Sequence, residues 1–393
     1  MGTFSFTFAL PTRIIFGAHA FERSVGPETR RLGKRAFVVT GRSSAEKSGL
    51  LDAAVKLLEA EKVRCRVFSG IEPNPTVESA HRGAAQLKNF GADVVVAIGG
   101  GSVIDAAKAI GVAAVAGGGI QKYFGAGKVP APNMPLVAAP TTSGTGSEVT
   151  QYSVISDPEA GTKNLIKSMN ICPTTAIVDP VLAMGMPPEL AAASGIDALS
   201  HAVESYVCAV AQPVTDLVNI EAVSLIAKHL PASVNLQGDY DSRCMMAYAA
   251  LLGGIGINNS GTGLAHLISF PLTADYGIPH GVATGLVLPY VMEFNLPANY
   301  TKFARIARAM GEDTTGLSVA DAAKMSVSAV KRLLRDVRFP ASLAGFGVED
   351  KKIKEYAPAL LADKGRIANN PRVPRVEDIV TVCMKAKDIG TTA

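Results

Sequence analysis

Asp93-Val-Val-Val-Ala-Ile98-Gly99-Gly100-Gly101-Ser102-Val-Ile-Asp105-Ala-Ala-Lys108 is the stretch on which the fold turns. The run Asp93–Ile98 has the length and β-branched content of a strand covered on both faces. Three glycines then turn the chain, and Val103–Val115 continues with helical spacing. A strand, a glycine turn and a helix N-terminus make an anion site. Free backbone N–H groups and the positive end of the helix dipole face the ligand, and glycine lets a phosphate approach the backbone. The spacing is not G-x-G-x-x-G, because Ile104 takes the sixth position. The ordinary dinucleotide fingerprint is therefore absent, and a tight structural turn stands as the alternative.

Outward from this unit, strand-like runs at Ala36–Thr40, Val63–Phe68, Leu136–Ala139, Tyr152–Ser156 and Thr175–Val178 alternate with helical patterns at Ser44–Glu61 and Val77–Phe90. Such alternation predicts a parallel sheet with helices on both faces. The opening Phe4–Phe16 segment alternates around Pro11 and suits a hairpin or a strand pairing with another subunit. After Pro187-Pro188 the β-branched runs stop. Helices are expected at Glu189–Tyr206, Val214–His229, Ser242–Gly254, Val282–Asn295, Tyr300–Met310, Ala320–Val337 and Val376–Lys387. The expectation is an α/β domain over 1–185 and an all-helical domain over 186–393, with a ligand cleft between them.

A second glycine-rich segment, Pro140-Thr-Thr-Ser-Gly-Thr-Gly-Ser-Glu148, follows the strand ending at Ala139. Its hydroxyls and bare backbone suit a phosphate or ribose, although a solvated polar loop has the same composition. Ligands of open α/β sheets bind beyond the carboxyl ends of the strands, which is where both loops fall. In the helical half, Asp197 and His201 are four apart and share one helix face. His266 and His280 follow, each near glycines. Three imidazoles and a carboxylate suit a divalent first-row metal with a position left open for substrate. Glu204, one turn beyond His201, is placed to orient a ligand. His19, His81 and His229 read as ordinary histidines.

Composition narrows the function class. The 393 residues are 48% hydrophobic and 18% charged, which excludes a disordered chain and leaves length enough for two cores. The net charge of +4 is spread thinly, so no nucleic-acid partner is expected. Asp105, Lys108 and repeated glycines interrupt the most apolar stretch, so no membrane span is expected. Five scattered cysteines without a C-x-x-C pair point to a reducing, cytoplasmic setting.

Taken together, the motifs resemble the iron-containing (group III) alcohol dehydrogenase family over nearly the whole chain. The resemblance is carried by Glu72-Pro-Asn-Pro-Thr76, Gly99–Ser102 with Asp105, Pro140–Glu148 and Ala176-Ile-Val-Asp-Pro180. Gly195–Tyr206, Ile278-Pro-His-Gly281 and Asn370-Pro-Arg372 add to it. It implies a nucleotide-binding α/β domain of the dehydroquinate synthase-like kind, followed by a helical domain. Asp197, His201, His266 and His280 would hold the metal, Fe²⁺ or sometimes Zn²⁺. Gly99, Gly100, Gly101, Ser102 and Asp105 would hold the pyrophosphate region of a dinucleotide, with Asn74, Thr141, Thr142, Thr145 and Lys163 as further cofactor contacts. The implied reaction is hydride transfer between nicotinamide and a small primary alcohol or aldehyde, in a homodimer or higher homo-oligomer.

Two departures from the family pattern bear on function. Many members carry a second histidine four residues after the third ligand, where it assists proton transfer; here that residue is Phe270. Many NAD-preferring members place Asp after the first nucleotide-domain strand, whereas this chain reads Gly41-Arg42-Ser43-Ser44. Without the carboxylate, a 2′-phosphate meets no like charge, and Arg42 and Ser43 offer donors to it. NADP(H) is therefore expected over NAD(H). The alternatives are a dehydroquinate synthase-like lyase and a glycerol dehydrogenase-type polyol oxidoreductase. The apolar Leu264, Leu267, Ile268, Phe270 and Leu272 near the third ligand argue against the lyase.

Overall fold

Period-two patterning organises the first unit. In the computed structural model, which describes residues 5–388, nine strands form two sheets. They are β1 (Arg13–Phe16), β2 (Arg35–Gly41), β3 (Arg64–Ile71), β4 (Val94–Gly99), β5 (Gly125–Ala126), β6 (Leu136–Pro140), β7 (Tyr152–Asp157), β8 (Thr162–Lys167) and β9 (Thr175–Val178). The larger sheet has the order β1-β9-β6-β4-β2-β3, and all its pairs are parallel. Ala36, Val38, Val94, Val96 and Ile98 face one side, against Phe21, Val25, Ala54 and Leu58. Phe37, Val39, Val95 and Ala97 face the other, against Leu87, Val103, Ile104 and Ile110. Both faces are covered, so the strands read as unbroken apolar runs.

The expected strands and the Val77–Phe90 and Gly101–Val115 helices are present, within a few residues at their ends. The strands β5 and β8, which form a separate small sheet with β7, were not expected, and three other features differ as well. The Ser44–Glu61 helix is two pieces, Ser44–Lys47 and Leu50–Ala60, because Gly49 at φ 73° takes a left-handed turn between them. The Ala20–Leu32 helix, which carries Gly26 and Pro27 inside it, was not expected. No hairpin occupies the described part of Phe4–Phe16, and Phe4 lies outside the described residues. Only residues 13–16 form a strand, β1, at the edge of the large sheet. Before it, Gln212 Nε2 donates to the Thr7 carbonyl (3.1 Å) and Ala9 N donates to Asn259 Oδ1 (2.8 Å).

The second unit is helical, from Pro188–Val207 through Pro213–Asn235, Tyr240–Ser260, Leu264–Tyr276, His280–Asn295, Tyr300–Ala309, Val319–Asp336, Asp350–Leu360 and Lys364–Asn369 to Val376–Lys387. Spatially it also takes in the described residues up to Ala9 and the short piece Ser143–Thr145, while Leu10–Thr142 and Gly146–Gly185 form the α/β unit. Among the described residues no helix is long and apolar enough to cross a membrane. All five cysteines are free thiols.

Candidate metal centre and dinucleotide site

Local sequence explains how the metal-type residues converge. Asp197 and His201 project from one face of Pro188–Val207. His280 opens the His280–Asn295 helix, and Gly281 beside it has no side chain because a Cβ there would run into the Ala193 carbonyl. That close approach brings His280 Nε2 to 3.8 Å from Asp197 Oδ1. His266 sits in the first turn of Leu264–Tyr276, with Nε2 3.6 Å from Asp197 Oδ1. Its ring stacks on His201 at 4.5 Å and meets His280 edge-on at 5.4 Å.

Asp197, His201 and His266 each offer one ligand atom, all within 4.8 Å of one another. All three residues are buried, and Asp197 Oδ1, His201 Nδ1 and His266 Nε2 have no hydrogen-bond partner. Orphaned buried donors and acceptors are costly, and one on each of three residues whose ligand atoms gather this closely fits a cation. His280 stands at the edge of this cluster with 29% of its side chain exposed.

Glu204 does what its spacing suggested. Its Oε2 takes the Nδ1 proton of His266 at 2.5 Å, and its Oε1 accepts from Ala265 N at 2.6 Å. The first bond leaves His266 Nε2 as the nitrogen facing the cluster. Sequence reasoning missed two further supports. Ser269 donates to the His266 carbonyl (2.8 Å) and lies 3.2 Å from His280 Nδ1, one turn along the same helix. Asn370 Oδ1 accepts from Leu264 N (3.3 Å) at the start of that helix, and its amide pairs with Asn295 (2.8 Å).

Electrostatics follow the same geometry. Burial alone would raise the Asp197 carboxyl, but the imidazoles around it, His201 foremost, hold it well below the usual carboxylate range. Burial pushes His201 down to about 4, with Asp197 opposing. For His266 burial also works downward, yet Glu204 and then Asp197 lift it to about 9. The cluster thus draws in positive charge, which a divalent cation would supply in place of the proton.

Phe270 occupies the fourth position after His266, and its ring stacks over His280 at 6.0 Å and 22°. The Arg366 guanidinium lies on Phe270, 4.2 Å from the ring centre.

In the α/β unit, Gly100 caps the N-terminus of Gly101–Val115, and a Cβ on it would lie 3.3 Å from Thr142 Oγ1. Thr141 N donates to the Gly99 carbonyl at 3.1 Å, so both glycine-rich loops meet at the ends of β4 and β6. Ser102 Oγ donates to the Pro73 carbonyl, and Lys163 Nζ bonds Asn74 Oδ1 at 3.1 Å. Gly41, Arg42, Ser43 and Ser44 line an open cavity of about 260 Å³ together with Glu72 and Ser102.

Two further expected cofactor residues have contacts of their own. Asp105 Oδ2 accepts from Val154 N at 2.9 Å, which ties the helix to β7. Thr145 groups with the helical unit, beside Gly144, which packs closely on Ser194.

Comparison with known proteins agrees with this arrangement. Residues 11–180 match the iron-containing alcohol dehydrogenase family model, and residues 191–387 match the model for the C-terminal part of that family. The 1,3-propanediol dehydrogenase of Klebsiella pneumoniae is 38% identical, over 97% of this chain and 98% of its own. The NAD-dependent methanol dehydrogenase of Bacillus methanolicus is also 38% identical, over 96% of this chain and 99% of its own. The solved alcohol dehydrogenase of Oenococcus oeni superposes with a TM-score of 0.94 at 34% identity, over 97% of this chain and 100% of that one. The chain belongs to the iron-containing alcohol dehydrogenase family, and it is a nicotinamide-dependent oxidoreductase of small alcohols and aldehydes.

Proposed function

We propose that the enzyme binds one divalent metal, Fe²⁺ or else Zn²⁺, through Asp197, His201, His266 and His280, and uses NADP(H) in preference to NAD(H). The three orphaned buried atoms around Asp197 carry the metal reading. When bound, such a cation supplies Lewis-acid stabilisation of negative charge on an oxygen, and the nicotinamide gives or accepts a hydride.

This chain's own residues prepare that chemistry. Glu204 and Ser269 fix the ring orientations of His266 and His280. Leu264, Leu267, Ile268 and Leu272 are buried around His266, which suits a small apolar substrate better than the polyhydroxylated, phosphorylated one a lyase would need. Phe270 has no titratable group, so water or a cofactor ribose hydroxyl must carry the proton, and aldehyde reduction is the more robust direction at neutral pH. On the α/β unit, Gly99, Gly100, Gly101, Ser102, Thr141 and Thr142 form the pyrophosphate cradle, and Asn74 with Lys163 flanks it. Gly41, Arg42 and Ser43 take the 2′-phosphate in the adjoining cavity.

The protein is read as a cytoplasmic homo-oligomer, most simply a dimer. The exposed Phe16 on edge strand β1 supports a subunit contact there. A stable 40.8 kDa monomer in sedimentation at micromolar concentration would oppose this.

Elemental analysis tests the metal site. His266→Ala is expected to abolish bound metal and His280→Ala to reduce it. Full metal content and activity in both variants would overturn the site.

A further inference from the structure

Asn369 and Asn370 touch the ends of all three helices that carry Asp197, His201, His266 and His280. Just past Pro188–Val207, which bears Asp197 and His201, Ala209 N donates to the Asn369 carbonyl at 2.9 Å. At the start of Leu264–Tyr276, which bears His266, Leu264 N donates to Asn370 Oδ1 at 3.3 Å. At the end of His280–Asn295, Asn295 exchanges two hydrogen bonds with the Asn370 amide, 2.8 Å and 3.1 Å long. Asn369 Nδ2 also donates to the Ser260 and Thr262 carbonyls, at 2.8 Å and 2.9 Å. The pair thereby grips the loop that leads into the His266 helix.

That helix cannot cap itself. Its N-cap is Gly263, which has no side chain to accept from the free N–H groups of the first turn. A Cβ on Gly263 would lie 3.0 Å from Asn370 Oδ1 and 3.3 Å from Glu204 Oε1. The bare backbone therefore makes room for two acceptors from elsewhere in the chain. Asn370 takes Leu264 N, Glu204 takes Ala265 N at 2.6 Å, and His266 is the next residue. Asn370 is 3% exposed, and its amide is fully used. Its Oδ1 accepts from Leu264 and Asn295, while Nδ2 donates to Asn295 Oδ1 and to the Arg372 carbonyl at 2.6 Å. An oxygen held by so many partners has one position, and it sets where the His266 turn begins.

We propose that Asn369 and Asn370 are positioning residues for the metal centre. They cap the His266 helix from a distant part of the chain and hold that ring in register with Asp197 and His201. This rests on the metal-site reading above. Neither residue supplies a ligand. The effect falls chiefly on His266, because Asn295 anchors the far end of a 16-residue helix, about 22 Å along its axis from His280.

The test measures Zn²⁺ affinity by chelator competition in wild type, Asn370→Ala, Asn369→Ala and Asn295→Ala, with urea unfolding of the metal-free proteins to rank stability. Asn370→Ala should weaken Zn²⁺ binding about 10- to 100-fold, as loss of a group that orients a ligand does. Asn295→Ala removes buried hydrogen bonds but leaves the Leu264 cap, so it should cost stability with little loss of affinity. Saturated with Co²⁺, Asn370→Ala should show altered visible d–d absorption, whereas Asn295→Ala should keep the wild-type spectrum. Asn369 is only half-buried, so Asn369→Ala carries the test if Asn370→Ala does not fold; it should weaken Zn²⁺ binding in the same direction. Equal losses of affinity in Asn370→Ala and Asn295→Ala would overturn the proposal, because affinity would then merely follow stability. Wild-type affinity and spectrum in both Asn369→Ala and Asn370→Ala would overturn it too. A wild type that binds neither Zn²⁺ nor Co²⁺ would instead bring down the metal reading itself.

Discussion

Gly41→Asp should reverse the cofactor preference, and the structure sets the size of the effect. Gly41 ends β2, and a Cβ built on it lies 3.7 Å from Val103 Cγ2 and 3.8 Å from the Ile71 carbonyl, ordinary contact distances. The side chain is therefore accommodated without displacing its neighbours. Its carboxylate enters the cavity shared by Arg42, Ser43 and Ser44. The carboxylate already there, Glu72, is occupied by the Thr76 hydroxyl (2.8 Å) and backbone N–H (3.2 Å). A 2′-phosphate carries roughly −1.5 to −2 charges. About 5 Å from a new carboxylate, in a cavity open to water, repulsion amounts to about 1–3 kcal/mol. The same carboxylate accepts from the ribose hydroxyls of NAD(H), a gain of about 1 kcal/mol. The ratio of kcat/KM for NADPH over NADH should then fall about 30- to 1000-fold. Steady-state kinetics with propanal and both reduced cofactors, alongside a thermal melt to verify folding, make the measurement. If wild type favours NADH, or the aspartate leaves the ratio unmoved, the phosphate is not read at this turn.

Other perturbations probe the remaining parts. Glu204→Gln should weaken metal binding roughly 10- to 100-fold in chelator competition, because the His266 ring loses its anionic partner; unchanged affinity would show that ring orientation is set elsewhere. Phe270→His should raise alcohol oxidation by up to about 10²-fold, helped by the Arg366 guanidinium, which disfavours protonation of an imidazole placed beneath it. A slower oxidation with metal intact would refute the proton argument. Glu148 is buried in the α/β unit, and burial pushes its carboxyl up to about 7 from 4.5, with Lys108 opposing. The folded form therefore binds more protons than the unfolded one between those two values, and stability falls as pH rises through that window. Glu148→Gln should flatten this dependence by up to about 3 kcal/mol in urea unfolding at pH 5 and pH 8. Parallel pH profiles for the two proteins would contradict it.

Local periodicity was enough for the elements whose surroundings are uniform. Strands buried on both faces, such as Val94–Gly99, are apolar throughout and are bounded by glycine or proline. The Asp197/His201 pair and Glu204 were legible because helix geometry alone puts residues four and seven apart on neighbouring turns. Elements that draw their stability from distant partners were not legible. The β8 strand Thr162–Lys167 is largely polar and exists by pairing with β7. The Leu264–Tyr276 helix contains Pro271, and its first turn is held by Glu204 and Asn370 from other parts of the chain.

Roles depended on the same long-range contacts. Spacing grouped Asp105 with the phosphate loop, and only the fold pairs its Oδ2 with Val154 N on β7. Thr145 reads as one loop with Thr141 and Thr142, and its grouping with the helical unit is visible only in the fold. Nothing local linked Phe270 to Arg366, nearly a hundred residues on. A side chain's type limits the chemistry available to it, and that much is written in the sequence. Which donor meets which acceptor is decided when folding brings distant segments together, because hydrogen bonds and ion pairs act over a few ångströms whatever the separation along the chain.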